Sequence, residues 1–114
     1  MFAKFHTNPW DWEVGILHGP AEAANAWIEK RIGVSNVIGT QSEGHCYFQE
    51  NIPIIIWMKD INDIPVLAHE VLHAVFAILE SRGLLHCDSS EEAYTYTLSN
   101  LLGRILACKE WKRV

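Results

Sequence analysis

His69 and His73 stand four residues apart in the string His69-Glu70-Val71-Leu72-His73. On a helix that separation is about one turn, so both imidazoles project from one face. Two such nitrogens can approach one tetrahedral zinc ion at about 2.0–2.1 Å. Glu70 lies about 100° round the helix from His69, too far aside to be a ligand on the same line. It is placed instead to hold and deprotonate a water on the metal. Zinc brings the pKa of such a water toward about 7, and a nearby carboxylate can then take the proton. The chemistry these residue types point to is metal-assisted hydrolysis.

The element that must carry them is a helix over Ile64–Ser81. Asp63 can cap its start, Pro65 sits in the first turn where its missing N–H costs nothing, and Gly83 ends it. The helix is apolar nearly all round, with Val66, Leu67, Ala68, Val71, Leu72, Ala74, Val75, Phe76, Ile78 and Leu79. Such a helix belongs in a core. Its polar groups fall on a narrow stripe of His69, Glu70, His73 and, further on, Glu80. Burying them without partners would cost several kcal/mol (about 2–7 for a neutral polar group), so a metal or a hydrogen-bond network is expected there.

A catalytic zinc takes three protein ligands and keeps one position open. The downstream candidates are His86, Cys87, Asp88, Glu91 and Glu92. Ser89–Glu92 and Asp88–Glu91 also have the capping-box spacing, so either glutamate can serve only to cap the last helix. Phase helps to choose. Leu98, Leu101, Leu102 and Ile105 form the broad apolar face of that helix, while Glu92, Tyr96, Ser99, Gly103 and Ala107 form a second stripe. The small residues of the second stripe would let another helix approach closely. If that helix is the histidine helix, Glu92 and Tyr96 point into the site. Glu91 lies nearer the large apolar face; phase favours Glu92 and leaves both open.

The HExxH string, an intervening hairpin and then Glu92-Ala-Tyr-Thr-Tyr96 resemble the gluzincin branch of zinc peptidases. The likeness is greatest to minimal metallopeptidase domains of the ImmA/IrrE-like and SprT-like type, and to small phage-encoded proteins of that sort. It covers about Pro53 to Leu102, including the strand before the motif helix. The resemblance implies a zincin-like fold, one zinc ion, Glu92 as third ligand and a peptide or protein substrate. It puts Tyr96 at a position that is often polar in such families. Two residues depart from the usual pattern: Thr95 stands where a small Ala is common, and Tyr96 where Asp or Asn is common. A third-histidine arrangement of the SprT-like kind is not matched by His86.

The remaining elements read as a sheet with helices around it. Trp12, Val14 and Ile16 alternate with Glu13 and Gly15, giving a strand that ends near Gly19. Pro20 opens a helix through Arg31 and Gly33 closes it. Val37-Ile38 reads as a short strand and Gln41–Gly44 as a loop. His45–Gln49 and Pro53–Met58 read as strands joined by a turn at Glu50-Asn51, the second placed centrally because Ile54–Trp57 is apolar on both faces. The last helix is expected over Ser90–Trp111. The expectation is a single α+β domain over residues 1–114, a small, mostly antiparallel sheet packed with three helices. An edge strand carrying His45 would border the cleft and can pair with an extended substrate. His45, Tyr47 or Tyr96 would then be the residues able to stabilise an oxyanion.

Composition sets the outer bounds. The 114 residues are 49% hydrophobic and 20% charged, with a net charge of −5. This suits one folded domain and argues against a nucleic-acid surface, which needs a basic stripe. The Lys109, Lys112 and Arg113 cluster reads as a solvated helix end. The longest apolar run, Ile52–Met58, contains Pro53 and is too short to span a bilayer. No secretory signal pattern opens the chain. Cys46, Cys87 and Cys108 have no CxxC spacing and suit free thiols in the cytoplasm, the host's if the chain is phage-encoded. His6, His18 and His86 read as structural or exposed, and the five tryptophans as core anchors. The rival to a peptidase is a binding protein of the same fold that keeps the metal but cleaves nothing, suited to a phage–host interaction.

Overall fold

Alternation of Val14 and Ile16 with Gly15 and Leu17 gives β2 (Trp12–His18) two apolar faces, and the sheet is built outward from it. The structure, a computed structural model, describes residues 4–7, 10, 12–108 and 111–114. Lys109 lies outside the described residues, as do the side chains of His6, Lys112 and Arg113. Along the chain come β1 (Lys4–Thr7), β2, α1 (Ala21–Ile32), β3 (Gly44–Tyr47), β4 (Ile54–Met58), α2 (Ile64–Ser81), α3 (Glu91–Ala107) and β5 (Lys112–Arg113). The architecture is α+β with three helices.

The sheet order is β1-β2-β4-β3, with β5 added beside β2. The β1·β2 and β3·β4 ladders are antiparallel, whereas β2·β4 and the short β2·β5 ladder are parallel. The sheet is therefore mixed where a mostly antiparallel one was expected. The connection through α1 re-enters the sheet at Gly44, level with Met58 and His18, and β3 then runs back, so that β4 starts beside Val14 and lies parallel to β2. β4 is central, as its two-sided apolar run requires, and every residue of it is buried.

Each face of the sheet is covered. Val14, Ile16, Ile54, Ile56 and Met58 pack with Leu67, Val71, Ala74, Val75, Ile78 and Leu79 of α2 and with Tyr94, Leu101 and Ile105 of α3. Leu17, Ile55 and Trp57 pack on the other side with Ala21, Ala24 and Ile28 of α1, and with Ile38. Among the described residues, α2 is the one helix long and apolar enough to cross a membrane, and its apolar stripe is spent on this core.

Two local expectations give way to tertiary partners. Val37-Ile38 forms no strand. The Asn25 side chain donates to the Ile38 carbonyl at 2.9 Å and accepts from the Ile38 N–H at 2.8 Å, so an amide replaces the ladder. The last helix stops at Ala107 instead of Trp111, with Cys108 extended. Beyond β1 the edge of β2 still offers backbone groups, and the returning chain takes them: Leu17 and His18 pair with Lys112 and Arg113, and the Val114 N–H donates to the His18 carbonyl at 2.8 Å. Pairing open backbone groups outweighs a few residues of helix propensity. β1, absent from the sequence reading, pairs with Trp12–Gly15.

Candidate metal and catalytic site

The start and rotation of α2 fix the site. The Asp63 carboxylate accepts from the Val66 N–H at 3.2 Å, and Pro65 occupies the first turn. Leu67, Val71, Ala74, Val75, Ile78 and Leu79 lock one side of the helix onto the sheet. That rotation leaves His69 and His73 exposed and turns Glu70 inward, where it is 7% exposed.

The two imidazole Nε2 atoms are 3.2 Å apart, with ring planes at 75° and centroids at 4.8 Å. Two zinc–nitrogen bonds of about 2.0–2.1 Å at a tetrahedral angle place their nitrogens about 3.3–3.4 Å apart. The separation of the pair is close to that of two corners of a tetrahedral zinc site. The same spacing allows one ring to donate a somewhat long hydrogen bond to the other.

Glu70 lies against the edge strand β3. A Cβ on Gly44 would sit 2.6 Å from Val66 Cγ1, 3.0 Å from Glu70 Cγ and 3.4 Å from Glu70 Oε1. Gly44 is therefore needed for close approach: the strand passes over the glutamate with no side chain between them. The register pairs Gly44 with Met58 and Cys46 with Ile56, which face α2, while His45 pairs with Trp57 and Tyr47 with Ile55, which face α1. Burial, reinforced by His73 and opposed by Glu70, lowers the pKa of His45. Burial first, and then Glu70, pushes the Cys46 thiol up to about 12, so it is a neutral wall at physiological pH.

Gly44→Ala should destabilise the protein by about 1–3 kcal/mol, because the added methyl group has no room. The same displacement should cost about 100-fold in any turnover that depends on Glu70. Thermal unfolding beside an activity assay checks both; an unchanged midpoint would show that β3 yields freely.

The structure separates other residues that the sequence reading joined. Glu92, Tyr96, Ser99, Gly103 and Ala107 are exposed, and no heavy atom lies within 4 Å of a Cβ placed on Gly103. The small-residue stripe of α3 therefore does not meet the histidine helix. The larger stripe does: Tyr94, Leu101 and Ile105 are buried in the α2 core, and the Phe76 and Tyr94 rings are 5.0 Å apart. Burying a large apolar side chain contributes about 1.5–3 kcal/mol, far more than Ser, Gly or Ala can offer. Tyr96 is 61% exposed. Glu91 and Glu92 are both exposed in the first turn of α3.

Among the described residues no three His, Cys, Asp or Glu side chains are gathered into a group able to hold a metal ion. The structure thus brings His69 and His73 together and leaves Glu92 apart from them. Neither capping box forms, because Ser90 holds the N-cap position in place of Ser89 or Asp88, and its hydroxyl donates to the Leu85 carbonyl at 2.6 Å instead of capping the helix. Tyr47 donates its hydroxyl to Gln49 at 2.6 Å, and His86 stands edge-on to Tyr94. Hydrogen bonds from Ser89 and then Ser90 bring the exposed Cys87 thiol down to about 7.

Two hollows flank Glu70 along the α2–β3 seam. One, of about 400 Å³, reaches from Ser42 and Pro65 to His69; the other, of about 380 Å³, reaches from His73 to Phe48 and Ala77. Gly44, Cys46 and Phe48 went unread as site residues because their place depends on strand register and not on local spacing. No protein-family model, curated protein or solved structure matches the chain.

Proposed function

We propose that this protein is a zinc-dependent metallopeptidase in which His69 and His73 hold the metal and Glu70 is the general base. The observation that carries this reading is the 3.2 Å separation of the two Nε2 atoms, with the buried Glu70 lining one hollow with His69 and another with His73. Glu92 stands as the third ligand by resemblance to gluzincins, from an exposed first turn of α3. When bound, zinc supplies a polarised carbonyl and water acidified toward a pKa of about 7. Glu70 takes the proton of the attacking water and returns it to the leaving amine. Its burial keeps bulk water from competing for that proton. Of the donors weighed for the oxyanion, His45 lines the same hollow as Glu70 and His73 from a strand position whose register faces α1, whereas Tyr96 is exposed. The three free cysteines support a cytoplasmic setting.

A second reading is favoured by the separation of Glu92 from the histidine pair. In it the protein retains metal on the pair and binds a partner without hydrolysis. One experiment divides the two: zinc titration of the purified chain, followed by incubation of the loaded protein with a diverse peptide library. The peptidase reading expects about one zinc per chain and chelator-sensitive cleavage. Zinc uptake with an intact library selects the second reading. No uptake at all sinks both.

A further inference from the structure

We infer that two copies of this chain share one zinc ion, with His69 and His73 of each copy supplying its nitrogens, and that this dimer is a silent form of the proposed site. The inference rests on the histidine pair as a metal site and names the partner of that site, a second copy of the chain.

The donor count points there first. A zinc ion closed by protein takes four donors. Among the described residues the pair is joined by no third His, Cys, Asp or Glu. Both rings stand exposed on α2 and their Nε2 atoms converge to 3.2 Å. Two donors on one open face leave half of a tetrahedron to be filled from outside the chain. A two-fold axis through the ion fills it with the same two residues, and such isologous contacts are the commonest in soluble oligomers.

The surface around the pair points the same way. Of the 18 residues of α2, Leu67, Glu70, Val71, Ala74, Val75, Ile78 and Leu79 are buried and the rest are not. The outer face of such a helix normally carries charge. Between Asp63 and Glu80 the one Asp, Glu, Lys or Arg is Glu70, and it is buried. The outward positions beside the histidines hold Pro65, which is exposed, Leu72, which is 41% exposed, and the half-buried Phe76. Glu43, which shares a hollow with His69, is paired with Lys59 at 3.6 Å. A chain of net charge −5 repels its own copies, and they approach at least cost on a face without charge. This apolar rim is small, so the ion and not the rim holds the copies together. With four imidazoles on the ion no position is left for water. Glu70 then has no proton to take until the copies part.

Sedimentation equilibrium of the full chain, without metal and with half an equivalent of Zn²⁺ per chain, tests this. Half an equivalent is used because a full one lets each pair take its own ion. The metal-free chain should be a monomer and the zinc sample a dimer, reversed by a chelator, and X-ray absorption should count four imidazoles on the ion. His73→Ala should stay monomeric. Leu72→Asp, at an exposed position that tolerates change, sets two carboxylates against each other in place of an apolar contact and should weaken the dimer by about tenfold or more. A monomer that retains zinc would overturn the dimer and leave the metal reading standing. No zinc retained by either form would sink both. A dimer without metal, or one formed by His73→Ala, would overturn the shared ion, and an undiminished Leu72→Asp dimer would overturn the α2 face.

Discussion

If the protein is the proposed peptidase, Glu70→Gln should keep zinc and lower peptide hydrolysis by about 10²–10⁴-fold, the contribution typical of a positioned general base. The amide has the shape of the carboxylate, so the packing under Gly44 is retained. What it lacks is basicity. In the proposed site the metal would rest on the imidazole pair, which is exposed on α2 while Glu70 is buried. Zinc content and turnover should therefore separate cleanly in this variant. A Gln variant with undiminished turnover would remove Glu70 from the chemistry, whatever its burial.

His73→Ala should weaken zinc binding by more than about 100-fold. Loss of an outer-shell partner already costs about 10–100-fold, and a direct donor costs more. His69→Ala should do the same, because each ring supplies one of two nitrogens held 3.2 Å apart. Neither change should unfold the protein: both side chains are exposed, and surface substitutions are usually within about 0.5 kcal/mol. Titration with a metal-competing dye, alongside thermal unfolding without zinc, measures the two quantities separately. If both single variants bound zinc like the wild type, the 3.2 Å spacing would be an ordinary imidazole hydrogen bond.

Local signals carried much of this arrangement into view. α2 runs over Ile64–Ser81, the span read from Asp63, Pro65 and Gly83, because cap, first-turn proline and positive-φ glycine each act within a few residues. The projection of His69 and His73 from one face follows from the same helix geometry. β2, α1 and β4 were legible from alternation and from the Pro20 and Gly33 punctuation. What local signals could not carry was partner choice. Asn25 satisfying Ile38, Leu17-His18 recruiting Lys112-Arg113, and Tyr94 taking the α2 contact in place of Gly103 all join residues distant in sequence. The third ligand belongs to this class. Helix phase offered Glu92 a route to a metal through a stripe that is exposed along its length.

The seam between α2 and β3 joins parts of unequal persistence. Glu70 belongs to a helix whose apolar stripe is the centre of the larger core. Gly44, which covers it, belongs to a four-residue strand hydrogen-bonded on one side only, at the rim of the sheet. Segments of the second kind open locally at far lower free energy than core helices. Fraying of that strand would uncover Glu70 while α2 keeps the histidine pair in register, a local opening of a few residues that leaves global stability untouched.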